Sequence, residues 1–286
     1  VDADDVPVAV KALKAACVRM PEREECAEKL ADALAQASES TKVAILETMK
    51  DMGGKKSLET MAEMAKSGDD KMQDTVTRIL GQWMSADAGP VLIDVANDPN
   101  SRYRVRALRG YIRLPAQFGS QMSDQQRVDM CRKAWDAAER DAERELILKV
   151  IERNPSVGML RLAVKASENE STKDLAAAVA RSVAQKIDGA QAEELLRQIK
   201  QDPVEIEIIK ATYGAGDKQK DVTQLLKTFV SDLPLVAMPS SNYNAAFGGD
   251  PVQGVPKTLK IKYRMNGKEG EAEFKENAAV ILPMPE

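Results

Sequence analysis

The sequence predicts a mostly α-helical fold: an α-α superhelix (solenoid) of two-helix repeats over residues 1–201, followed by a small all-β domain over residues 202–286. Three observations carry the prediction. Apolar residues recur at helical period from about Val6 to Gln201, the helices come in pairs of loosely constant length, and composition changes at Asp202-Pro203.

The helical pattern is clearest at Met72, Val76, Ile79, Leu80 and Trp83, whose spacing lays one apolar stripe along a helix. Val105, Leu108 and Ile112 repeat it, as do Leu146, Val150 and Ile151. Breaks fall at Gly53-Gly54, Ser67-Gly68-Asp69, Asp98-Pro99, Asn154-Pro155 and Asp188-Gly189, with Ser57, Asp69 and Ser101 as expected helix N-caps. First helices recur about every 30 to 40 residues, the range of two-helix repeats. One such pair cannot bury its apolar face, but a stack of pairs makes a continuous core.

The stretch Tyr-Arg-Val-Arg-Ala-Leu-Arg-Gly-Tyr-Ile-Arg-Leu, Tyr103 to Leu114, resembles the HEAT-like repeats of bacterial exported proteins. The turn Asn154-Pro155-Ser156-Val157, leading into Leu160, Leu162 and Ala163, is similar to the next helix junction in that group. The resemblance implies a scaffold, because such segments accompany sugar-degrading or electron-transfer domains without catalysing. It also implies export to the periplasm or the outside. The start at Val1 fits a leader removed by cleavage, and it fits trimming equally.

After residue 202, Val204 to Ile208 alternates apolar and polar residues at strand period. Leu259, Ile261, Tyr263 and Met265 alternate with Lys260, Lys262 and Arg264, and Asn266-Gly267 follows. Asn-Gly is the favoured pair of a two-residue type I′ turn, so Lys257 to Glu276 is expected to be a hairpin. Its register sets Arg264, Lys262 and Lys260 opposite Glu269, Glu271 and Glu273, and the basic row reads as cross-strand pairing. Tyr213-Gly214, Asp221-Val222-Thr223, Asp250-Pro251, Lys257, Leu259, Tyr263 and Leu282-Pro283 resemble a β domain of unknown function. That domain closes a DnaJ-type co-chaperone and is appended to bacterial exported proteins. The likeness implies a fold and no activity.

Chemistry is bounded mainly by one absence. The chain has no histidine, which excludes Ser-His-Asp and Cys-His nucleophile systems, His-ligated zinc and His-ligated haem. No c-type haem motif occurs. Most of its 45 acidic residues are read as solvated helix faces. Asp217, Asp221 and Asp250 lack the spacing of an EF-hand loop, and Asp221 reads as a local cap before Thr223. Gly214-Ala215-Gly216-Asp217 lacks the third glycine and following helix of a dinucleotide loop and reads as a turn. No catalytic residue, cofactor or metal is therefore expected.

A net charge of −4 with interspersed signs gives no basic stripe, so nucleic acid is not an expected partner. No run of about 18 apolar residues occurs, so no membrane span is expected. Cys131 reads as a core thiol. Cys17 and Cys26 flank Met20-Pro21-Glu22 and should meet across a helix hairpin, as a disulfide or as two packed thiols. Met49, Met52, Met61, Met64 and Met72 read as core filling, with an apolar-helix groove as the alternative. The polar segment from Pro239 to Val255 is the candidate binding loop, through Asn242, Tyr243, Asn244 and Phe247. The expected function is non-enzymatic protein–protein scaffolding. The alternatives are an accessory carbohydrate-binding module using that loop on a glycan, or the non-catalytic part of a larger hydrolase.

Overall fold

The computed structural model describes residues 6–187, 189–199 and 203–285. The chain is mostly helical, with a small sheet region after the helices. It divides into two compact units, Val1–Ile147 and Leu148–Glu286.

The first unit is a stack of helix hairpins. Its elements are α1 (Val6–Arg19), α2 (Arg23–Leu34), α3 (Glu39–Met52), α4 (Lys55–Ser67), α5 (Asp70–Leu80), α6 (Gly89–Asn97), α7 (Arg104–Phe118) and α8 (Asp124–Ala137). A ninth helix, α9 (Asp141–Arg153), begins here. Helices α1, α3, α5 and α7 pack one on the next in one layer, while α2, α4, α6 and α8 form the second. The predicted stripe on α5 is the reason: Met72, Val76, Ile79, Leu80 and, just beyond, Trp83 are all buried between the layers. Met49, Met52, Met61 and Met72 are buried with them, and Met64 is half-buried, so these thioethers pack in the core.

Caps fix where the helices begin. Asp69 Oδ1 accepts the Met72 amide at 2.8 Å, as expected of an N-cap. Ser123 and Gln126 form a reciprocal capping box at the start of α8. Ser57 is not a cap. Helix α4 opens two residues earlier behind Gly54, and its bare Lys55 and Lys56 amides donate to the Glu24 carboxylate of α2 at 2.9 and 2.8 Å. Ser57 is buried inside the first turn, and its hydroxyl has no hydrogen-bond partner among the described residues. Ser101 caps nothing either; its Oγ accepts the Tyr103 amide in a turn before α7.

The second unit holds the end of α9, then α10 (Val157–Ala166), α11 (Lys173–Ala184) and α12 (Gly189–Leu196). The sheet region follows: β1 (Ile206–Ala215), β2 (Lys218–Asp221), α13 (Thr223–Lys227), β3 (Leu235–Val236), α14 (Tyr243–Ala246), β4 (Thr258–Met265), β5 (Lys268–Lys275) and β6 (Val280–Ile281). Strands order as β2-β1-β4-β5, all antiparallel, with β3 and β6 as a separate pair. Helices α13 and α14 mean that this region is not all-β. Nor does compactness divide the chain at 201/202, where composition changes. The last helices bond to the sheet region: Gln185 Nε2 donates to Ile281 O at 2.8 Å, and the Gly189 amide to Asn277 O at 2.9 Å.

The hairpin forms in the expected register, Leu259 facing Phe274, Tyr263 facing Gly270 and Arg264 facing Glu269. Asn266 and Gly267 take φ of 49° and 85°, the left-handed pair that a type I′ turn requires. The inward row of this hairpin, with Tyr213, Tyr243 and Phe247, makes an aromatic core for the sheet.

Candidate functional site

The expected binding loop is held by its own domain. Tyr243 is 1% and Phe247 2% exposed. With Tyr213 they form a trio of rings whose centroids lie 5.1–5.7 Å apart, tilted or edge-on. The Tyr243 hydroxyl donates to Ala278 O, and its amide donates to Asn277 Oδ1 at 3.0 Å. Burial pushes both tyrosine hydroxyls far above their ordinary range. Asn242 caps α14 by accepting the Ala245 amide. The aromatic faces that a sugar would stack on are therefore already covered, which corrects the reading of Tyr243 and Phe247 as a display surface.

Asn244 belongs to a polar cluster that the sequence did not flag. The Tyr213 hydroxyl lies 2.9 Å from Asn244 Oδ1 and 3.0 Å from Glu276 Oε1, and Asn244 Nδ2 donates to the same Glu276 oxygen. Lys257, 5% exposed, sets its ammonium between Asp250 Oδ1 at 3.0 Å and Glu276 Oε1 at 3.3 Å. It also donates to the carbonyls of Val255 and Val252. Burial opposes the Lys257 charge, but hydrogen bonds to Asp250 and Glu276 outweigh it and hold the ammonium above its ordinary value. The ammonium's donors are spent on the loop and on Glu276. The cluster ties residues 250–256 to the end of the hairpin and leaves no group poised for proton transfer. Asp221 accepts the Thr223 amide at 2.8 Å in an Asx turn ahead of α13, whose N-cap is Val222, and among the described residues no group of three or more acids and cysteines could hold a metal ion.

A groove of about 710 Å³ runs along α11 in the second unit. Lys173, Ala177 and Arg181 line one side, Pro234 and Leu282 to Met284 the other. Its lining mixes these charged groups with apolar ones such as Ala177, Pro234 and Leu282.

In the first unit, polar side chains join neighbouring repeats. Arg102 binds Asp70 at 2.8 Å, Arg106 binds Asp74 at 2.7 Å, Arg104 binds Glu139 at 2.7 Å and Arg109 binds Glu143 at 2.8 Å. Partners lie 32 to 35 residues apart, so each bond spans one repeat. Arg104, Arg106 and Arg109 of the stretch Tyr103 to Leu114 are thus paired with carboxylates from both flanking repeats, while Arg113 donates to Trp83 O. Glu143 is the most enclosed of these acids, its side chain 1% exposed. The Arg140 hydrogen bond, helped by Arg109 and opposed by burial, holds its carboxyl below the ordinary value.

Cys17 and Cys26 are both buried free thiols. They neighbour each other: burial first, then hydrogen bonding to Cys26, pushes the Cys17 thiol up to about 11. Cys131 is buried alone and pushed up to about 12.

Residues 27–111 match the family model of HEAT repeats, the stretch from α2 into α7 where hairpins stack in two layers. No curated protein and no solved structure matches the chain.

Proposed function

We propose that the chain is a non-enzymatic protein–protein interaction scaffold whose helical repeats carry the partner-binding surface. HEAT repeats commonly serve as such scaffolds and are generally non-enzymatic, and the match over residues 27–111 is the observation that carries the reading. The electrostatics support it: the charged groups of α5, α7 and α9 bond across repeats and do not converge on a reaction centre. No helix among the described residues is long and apolar enough to cross a membrane.

Crosslinking of the full chain in extracts of the cells that make it, read by mass spectrometry, tests the proposal. Partner crosslinks should concentrate between residues 27 and 147. Crosslinks confined to residues 203–285, or capture lost only when that region is deleted, would overturn it.

Export is proposed on the resemblance of Tyr103 to Leu114 to bacterial exported repeats. In an oxidising compartment a small-molecule disulfide would exchange with the neighbouring Cys17 and Cys26 thiols, joining their sulfurs and leaving as two reduced thiols. Mass spectrometry of protein from its own host should find the joined peptide; two free thiols there would count against export.

A further inference from the structure

The outer edge of β5 is an open strand with a charge code. In a hairpin closed by a two-residue turn, residues facing each other alternate between pairs that exchange hydrogen bonds and pairs that do not. Met265 and Lys268 flank the Asn266-Gly267 turn and form the first bonded pair. Glu269, Glu271 and Glu273 therefore sit at non-bonded positions, with their N–H and C=O groups pointing away from β4. Strand β5 is the last strand of its sheet, and no described residue bonds those outward groups.

The same three residues set their side chains on the polar face. Between β4 and β5 opposite charges face each other, and in the Arg264 row the order from β1 to β5 is acid, base, acid, whereas Lys210 of β1 faces Lys262. Arg264 of β4 bridges Glu207 of β1 at 2.5 Å and Glu269 of β5 at 2.7 Å, and Lys260 reaches Glu273 at 2.8 Å. Lys262 faces Glu271 in the register, yet its ammonium reaches Glu269 at 3.5 Å instead. Glu271 thus has no ion-pair partner among the described residues. On the other face Gly270 and Ala272 are half-buried small residues.

We propose that the β5 edge takes an extended segment of a partner protein as a further strand, and that the segment carries Lys or Arg at alternate positions. A strand added there bonds to the outward groups of Glu269, Glu271 and Glu273. Its residues opposite them share their face, where basic side chains continue the acid–base–acid order. The intervening residues lie beside Gly270, where Tyr263 and Pro285 already pack, and Ala272, so small apolar side chains fit there. Strand β4, with Lys260, Lys262 and Arg264 separated by Ile261 and Tyr263, shows the matching pattern on the opposite side of β5. A second copy of β5 fits badly: antiparallel pairing about Glu271 sets that residue against itself and Glu269 against Glu273, a like-charge clash. The proposal uses none of residues 27–147, so it stands or falls apart from the scaffold reading.

The probe is a fluorescent peptide with the sequence Thr258–Met265, measured by anisotropy on the full chain at low salt. Saturable binding is expected, with slowed hydrogen exchange at the Glu269, Glu271 and Glu273 amides. Glu271→Pro removes one outward donor and spares the inward ladder, so it should weaken binding about tenfold or more. Glu271→Gln keeps the backbone donor and should weaken binding by roughly threefold, an effect erased at high salt. No saturable binding up to about 1 mM, or equal binding of a peptide with Glu at its three basic positions, overturns the proposal. Unchanged affinity in Glu271→Gln at low salt also overturns it, and that arm decides the matter if Glu271→Pro melts early.

Discussion

The repeat stack and the sheet region hold themselves together over different distances. In the first unit the polar bonds between repeats join residues 28 to 37 apart, among them Glu24 under α4 and Arg109 on Glu143. In the second unit Gln185 bonds to a carbonyl 96 residues away, and Tyr213 reaches Glu276 across 63. A bond that spans one repeat stabilises that repeat and its neighbour, so damage should stay local. A core closed by strands from both ends of a region has no such subdivision. Losing one part of the aromatic core removes packing from all of it.

The largest test of that contrast is Tyr243→Ala. Removing a buried ring from the trio should cost the sheet region roughly 3–5 kcal/mol, with amide exchange accelerating from β1 to β6. Protection in α3 to α7 should hold. If the first unit loses protection to the same degree, the two parts are one cooperative body and the contrast fails.

A smaller effect is expected at the hairpin tip. A Cβ on Gly267 meets no atom within 4 Å, so Gly267→Val probes backbone strain alone at φ 85°. The cost should be about 1–2 kcal/mol, read as a lower denaturation midpoint of the sheet region. An unchanged midpoint would mean that the turn does not set the register.

Glu143 tests the repeat side. Glu143→Ala should cost on the order of 1–2 kcal/mol, discounted because Arg109 and Arg140 are half-exposed and screened. Because its folded value lies below the ordinary 4.5, its contribution is present above that pH. It is lost as pH falls through the lowered value. Stability of the wild type and the variant should therefore converge in acid; a gap that persists at the lowest pH would point to packing instead of charge.

The smallest predicted effect has the opposite sign. Ser57→Ala removes a buried hydroxyl that has no partner among the described residues, and should stabilise the first unit by up to about 1 kcal/mol. Destabilisation would reveal a hydrogen bond at that hydroxyl.

The periodic stripe on α5 and the Asn266-Gly267 hairpin were legible in the residues because their causes are local. Helical spacing selects a face within four residues, and a two-residue turn sets the register of both strands that it joins. Asp69 was readable as a cap for the same reason. Other features depended on which groups met through space. The cap of α4 is Glu24, 31 residues upstream in another helix, so Ser57 looked like the better candidate. Tyr243 and Phe247 sit on a polar stretch that reads as a displayed loop, yet Tyr213 offers them a ring on each side and draws them inward. Lys257 was one basic residue among many until Asp250 and Glu276 converged on it. Helices α10 to α12 share the periodicity of those before them, and bonds such as Gln185 to Ile281 group them with the sheet region. Short-range patterning decides what each segment becomes. Which way a polar or aromatic side chain faces is decided by what the rest of the chain brings within about 3 to 6 Å of it, because hydrogen bonds and ring contacts form only at that range.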